Sequence, residues 1–144
     1  MKHAILRCPC GDPTAGPIRP YADCCGRYHA GSSHLQAPTA DALMRSRYSA
    51  FVFGLPDYLL ATWHPATRPA AIASDDAGLQ WLGLEVRRHL MQDADHATVE
   101  FVARSRLHGR AMRHHETSRF VREDGRWFYV DAAETPDASP RIPP

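Results

Sequence analysis

Cysteine is absent from every position after Cys25. That excludes a disulfide framework through the main body of the chain. An excess of one charge is also missing: 17 basic residues face 16 acidic ones, for a formal net charge of +1. A whole-molecule basic field of the kind that drives nucleic-acid binding is therefore excluded. No apolar run approaches the length that crosses a bilayer, so no membrane span is expected. The first residues, MKHAILRCPCG, lack a signal-peptide core and a small-residue cleavage site. A reducing cytoplasm is the expected compartment. At 144 residues and 16.1 kDa, with 44% hydrophobic residues, there is room for one modest core and a small appendage.

The four cysteines that are present, Cys8, Cys10, Cys24 and Cys25, stand together in one short arm. In a reducing compartment, clustered thiols bind metal or do redox work. A bond between the adjacent Cys24 and Cys25 would be badly strained. A redox motif of the C-x-x-C kind at a helix start is absent. The stretch CPCG offers two thiolates on a tight turn, with Pro9 fixing one φ and Gly11 freeing another. The CC pair follows after a loop broken by Pro13, Pro17 and Pro20, where no regular structure is expected. Four sulfurs can close a tetrahedral structural zinc site, which suits this pattern better than redox or free thiols. His29 is an alternative fourth ligand in place of Cys25; otherwise it is a surface histidine. An arm this short has almost no core, so the metal would supply its folding energy.

The divisions expected are 1–34 for the knuckle and connector, 35–135 for the main domain, and 136–144 for a loose Pro-rich tail. Thr39 is placed to cap a helix, with Asp41 in its first turn. Met44, Tyr48, Phe51, Val52 and Leu55 share one apolar face, from which Arg45 and Arg47 fall away. Gly54 and Pro56 end that helix. Asp57 can cap a second, short helix over 57–64, stopped by Pro65. Asp75 and Asp76 mark a loop with at most one helical turn.

From Gln80 the pattern changes to strands, the first running from about Trp81 to Met91. Asp124–Gly125 is a strong hairpin signal, and His108–Gly109 a weaker one. Two-residue loops at both would oppose Glu123 to Arg126, Phe120 to Tyr129 and Ser118 to Asp131. They would also oppose Ala103 to His114 and Phe101 to Glu116. Opposed residues share a face, so the two turns agree on one apolar inner face. Helices followed by a meander of strands give an α+β fold, with the helices packed on one face of a curved antiparallel sheet. The outer face keeps Val121, Phe128 and Val130 as its apolar members, a surface on which two copies could pair.

His114, Glu116, Ser118 and Asp131 fall on the inner face among Phe101, Phe120, Trp127 and Tyr129. Polar groups placed inward must be paired. In one reading they bond to each other, to Arg45, to Tyr48 or to buried water, which is the commoner arrangement. In the other, Arg45, Tyr48, Phe101, Ser118, Phe120, Trp127 and Tyr129 line a pocket for a small ligand. Glu116 or Asp131 would then be the base and His114 the acid or donor. His114 and His115 point to opposite faces of a strand, which argues against a shared metal. His64 reads as a helix-end histidine.

The phrases CPCG…CC, LMRSRYSAFVFGLPDYLLATWHP and HHETSRFVREDGRWFYVD resemble the YchJ-like family of bacterial proteins. The arm resembles the SEC-C zinc knuckle, found also at the tail of SecA-type translocation ATPases. The rest resembles a nuclear transport factor two-like domain, a cone of curved sheet with helices inside. The resemblance implies zinc on Cys8, Cys10, Cys24 and Cys25. One departure is the loop from Gly11 to Asp23, longer than the usual knuckle spacing. The resemblance implies no activity, so no catalytic residue comes with it, and fold analogy cannot supply one. Two functions are expected to compete. One is a binding or adaptor module whose knuckle offers Arg7, Arg19 and Arg27 to a protein or nucleic-acid partner. The other is a small-molecule enzyme of the isomerase, dehydratase or hydrolase type, using the cone.

Overall fold

The computed structural model describes residues 6–11, 19–73 and 78–133. Most of the Pro-rich loop, the Asp75–Asp76 loop and the tail lie outside the described residues. Three helices precede a four-stranded antiparallel sheet of order β1-β2-β3-β4. The helices are α1 (Gly26–His29), α2 (Ala40–Phe53) and α3 (Pro56–Ala61). The strands are β1 (Gln80–Met91), β2 (His96–Leu107), β3 (Arg110–Glu123) and β4 (Arg126–Ala133).

Helix α2 starts and stops where its residues dictate. The Thr39 side-chain oxygen accepts from the Ala42 N–H at 3.0 Å. Gly54 then takes a left-handed φ of 67°, and its N–H closes on the Ala50 and Phe51 carbonyls. Thr39→Ala is expected to lower unfolding free energy by about 1 kcal/mol, read from the urea midpoint. Helix α3 is shorter than expected from 57–64: Pro56 occupies its first turn, and it ends at Ala61. The chain leaves it to run beside β4. Tyr129 N–H donates to Thr62 O at 2.8 Å, and His64 N–H to Tyr129 O at 2.7 Å. This short parallel bridge covers the free edge of β4.

Both hairpin turns form as expected. His108, Gly109, Asp124 and Gly125 all have positive φ, the conformation a two-residue turn needs to match strand twist. Ala103 pairs with His114, Phe101 with Glu116, Phe120 with Tyr129 and Glu123 with Arg126. One expected pair fails. A bulge makes Val130 an extra residue, so Asp131 pairs with Arg119 and Ser118 with Ala132. Asp131 therefore lies opposite an outward residue, where Arg119 grips it with two bonds of 2.6 Å. Two further irregularities in β1, at Leu82 and Arg87, add to the sheet's twist and curvature.

The core lies between α2, α3 and the inner sheet face. Leu43, Ala50, Leu59, Val99 and Phe120 are at most 2% exposed. Arg45 and Arg47 correct the expectation that they fall away from the packed face, since both are buried. On the outer face, Val121, Phe128 and Val130 are half-covered rather than bare. The His64 ring packs edge-on against Phe128, and Arg126 lies over it.

Candidate metal centre

The arm is folded by backbone pairing around its cysteines. Cys8 N–H donates to Arg19 O at 3.0 Å, and Tyr21 N–H to Leu6 O at 2.7 Å. These bonds bring the CPCG turn beside a single 3-10 turn, Tyr21–Asp23. Helix α1 follows directly. Gly26 is required there, because a Cβ would sit 2.7 Å from Tyr21 O.

The result is one cluster. The sulfurs of Cys8, Cys10, Cys24 and Cys25 all lie within 4.8 Å of one another, and all four residues are buried. None is disulfide-bonded. Cys10 and Cys24 are 3.5 Å apart at sulfur. A tetrahedral metal with thiolates at about 2.3 Å needs sulfur–sulfur edges of about 3.8 Å, so the cluster fits such an ion with little adjustment. The four cysteines could hold a metal ion. Without one they cannot share negative charge easily. The neighbouring thiols donate to Cys8 and hold its pKa far below the thiol range. The Cys25 thiol is pushed far up, first because its proton is engaged by Cys10 and Cys24. A cation is the simplest way for all four to ionise together.

Helix α2 supports this cluster. Ser49 Oγ is 3.5 Å from Cys8 Sγ, and Arg45 donates to the Cys10 carbonyl at 3.2 Å. Arg45 also pairs with Asp41 at 3.2 Å. It thus faces the knuckle rather than lining an inner pocket. His29 is neither a ligand replacing Cys25 nor a surface residue. Its Nδ1 bonds to the Tyr21 hydroxyl, and its Nε2 donates to Ser46 O at 2.8 Å. Tyr21 in turn packs edge-on against Phe53. Among the described residues, Cys8, Cys10, Tyr21 and His29 of the arm thus meet Arg45, Ser46, Ser49 and Phe53 of α2.

Three of the inward polar residues meet at Glu116. Ser118 donates to Glu116 Oε2 at 2.5 Å, and His114 Nε2 lies 3.0 Å from Glu116 Oε1. Asp131, turned outward by the bulge, does not join them. Tyr48, Phe101, Phe120 and Trp127 are packed core, Tyr48 edge-on to Trp81. Burial pushes Tyr48 up to about 12 and Tyr129 higher still. A cavity of about 300 Å3 opens between α2 and α3, lined by Phe51, Gly54, Leu55, Leu59, Ile72 and Ala73 among others. It contains none of the expected acid–base residues.

Sequence reasoning missed Arg47. It donates to Leu59 O at 2.8 Å and Thr62 Oγ1 at 2.7 Å. Its guanidinium also lies 4.6 Å from the Tyr129 ring centre and 5.3 Å from that of Trp63. Burial pulls its pKa down to about 10. The available signal was spacing: Leu43, Arg47 and Ala50 share a helix face.

Comparison with known proteins agrees with this architecture. The family model for the YchJ middle NTF2-like domain matches residues 39–132. A UPF0225 protein of Bordetella pertussis is 60% identical over 124 residues, covering 86% of this chain and 90% of its own. A UPF0225 protein of Methylibium petroleiphilum is 59% identical over 135 residues, covering 94% of this chain and 93% of its own. Two solved SEC-C motif containing proteins have a similar fold. The one from Rhodopseudomonas palustris has a TM-score of 0.73 at 31% identity, covering 90% of this chain and 99% of its own. The one from Psychrobacter arcticus has a TM-score of 0.73 at 33% identity, covering 96% and 85%. A four-cysteine arm seated on a matched helix-and-sheet domain, in relatives aligned over nine-tenths of their length, places this chain in the YchJ-like UPF0225 family.

Proposed function

We propose that this protein is a binding module whose knuckle is closed by structural zinc on Cys8, Cys10, Cys24 and Cys25. The observation that carries this reading is the convergence of four buried sulfurs within 4.8 Å, braced by α2. Four thiolates in tetrahedral reach suit zinc, and a full set leaves no open position for catalysis. The SEC-C names of the two solved neighbours support the same assignment. Reduced thiols suit a cytoplasmic setting. In this reading 1–34 is the docking element, 35–135 its scaffold and 136–144 a tail.

Three arginines stand on the knuckle. Arg7 and Arg27 are exposed, and Arg27 is held by its bond to Cys24 O at 3.0 Å and by the Tyr28 ring beneath it. Arg19 donates to Asp23 O at 3.0 Å on the same arm. A partner with acidic or phosphate groups would meet a rigid surface rather than a flexible loop. The test compares partners retained by the zinc-loaded protein, by the chelated protein, and by Arg7→Glu with Arg27→Glu. Specific partners should be lost from both altered forms. Retention of the same partners by both would refute the reading.

A further inference from the structure

We propose that the outward face of the β2–β3 hairpin binds the phosphate backbone of double-stranded DNA. This surface is separate from the knuckle and stands on different residues. The stretch from Phe101 to His115 contains Arg104, Arg106, Arg110 and Arg113 and no Asp or Glu. The near-neutral total thus conceals a local excess of positive charge.

The register concentrates it. Arg104 is directly opposite Arg113, Arg106 opposite Ala111, and Leu107 opposite Arg110. Strand alternation puts Arg104, Arg106 and Arg113 on one face. All four arginines are exposed. Glu85 is the acidic neighbour of Arg104, at 3.8 Å, and it also lies 3.4 Å from Arg87. Arg106, Arg110 and Arg113 have no ion pair among the described residues. Like charges directly opposite on a ladder weaken it. Burial cannot compensate here, since these side chains extend into solvent. A cluster that works against the fold is explained by an anion it meets, and guanidinium forks match phosphate oxygens in pairs.

The surroundings narrow the anion. Phe, Tyr and Trp are missing from this end of the outer face among the described residues. Single strands and RNA loops are held largely by stacking on such rings. Leu82, the β1 bulge residue beside Arg104, is 48% exposed, but a lone leucine lacks the aromatic bulk on which protein interfaces centre. A duplex backbone needs neither. The turn at His108–Gly109, with Arg110, extends past the last β1 pairing, Gln80 with Arg106. Gly78 stands beside the His108 ring, so the turn is flanked by the chain leading into β1, and it is the arginine face that meets the duplex backbone.

The test is fluorescence anisotropy of the zinc-loaded full-length protein with a labelled mixed-sequence DNA duplex of about 20 base pairs, long enough for several phosphate contacts. Three such contacts predict a slope of about −2.7 in log affinity against log salt, or roughly a fortyfold loss between about 50 and 200 mM. Combined Arg104→Ala, Arg106→Ala and Arg113→Ala should weaken binding at least about tenfold and flatten most of the slope. The same triple variant should melt no lower than the parent, because the opposed pair is gone; a purely structural role would lower its Tm. Arg119→Ala, at the other end of the sheet, should leave duplex affinity unchanged. The proposal is overturned if the duplex fails to bind at low salt or if the triple variant binds it unchanged. Poly-L-glutamate or an RNA duplex binding as tightly as the DNA would also overturn it.

Discussion

Removing metal under reducing conditions is expected to release the arm while the helix-and-sheet core stays folded. The arm's own apolar core is small: beyond the cysteines, Tyr21 and Leu84 pack against it. In small zinc modules the ion contributes on the order of 10 kcal/mol to folding. The contacts that remain, chiefly Tyr21 and His29 to α2, cannot replace that. Amide exchange should show the effect. Cys8, Tyr21 and Tyr28 N–H groups, all in backbone bonds within the arm, should lose protection after chelation. Amides in β2 and β3 should keep theirs. Cys10→Ser should do the same without a chelator. Unchanged protection in the arm after chelation would show that protein contacts alone hold it.

The second large effect concerns the face that Phe120 occupies. Phe120 is 2% exposed and packs edge-on against Tyr129. Phe120→Ala should cost about 3–5 kcal/mol, since it removes a ring and leaves a cavity. Phe128 lies on the opposite face, one pairing away, between His64 and Arg126. Phe128→Ala should cost about 1 kcal/mol, as expected of a partly covered site. Urea unfolding with a fixed m-value reads both. Equal costs at the two positions would mean that the register through the second hairpin is wrong.

Much of this fold was legible because single residues force local geometry. Asp124–Gly125 and His108–Gly109 can adopt positive φ, and each turn then fixes the pairing for several residues on either side. Thr39 and Gly54 mark the ends of α2 for similar reasons. The bulge at Val130 was not legible. No glycine or proline announces it, and its consequence, Asp131 turned to Arg119, follows from tertiary curvature. The buried arginines were hidden for another reason. Arg45 and Arg47 look like surface residues until the knuckle carbonyl of Cys10 and the α3 carbonyl of Leu59 supply acceptors, and both come from distant chain. His29 followed the same logic, since its partners Tyr21 and Ser46 meet only when the arm docks on α2. The cysteine cluster, by contrast, was legible from confinement alone: four thiols within one short arm, two of them adjacent, can converge on one ion.

Elemental analysis of the protein, purified under reducing conditions without added metal, tests the central claim most directly. One zinc per chain is predicted, falling to none in Cys10→Ser and Cys24→Ser. Free thiols with no bound metal in the unaltered protein would contradict it, as would zinc that remains in both variants.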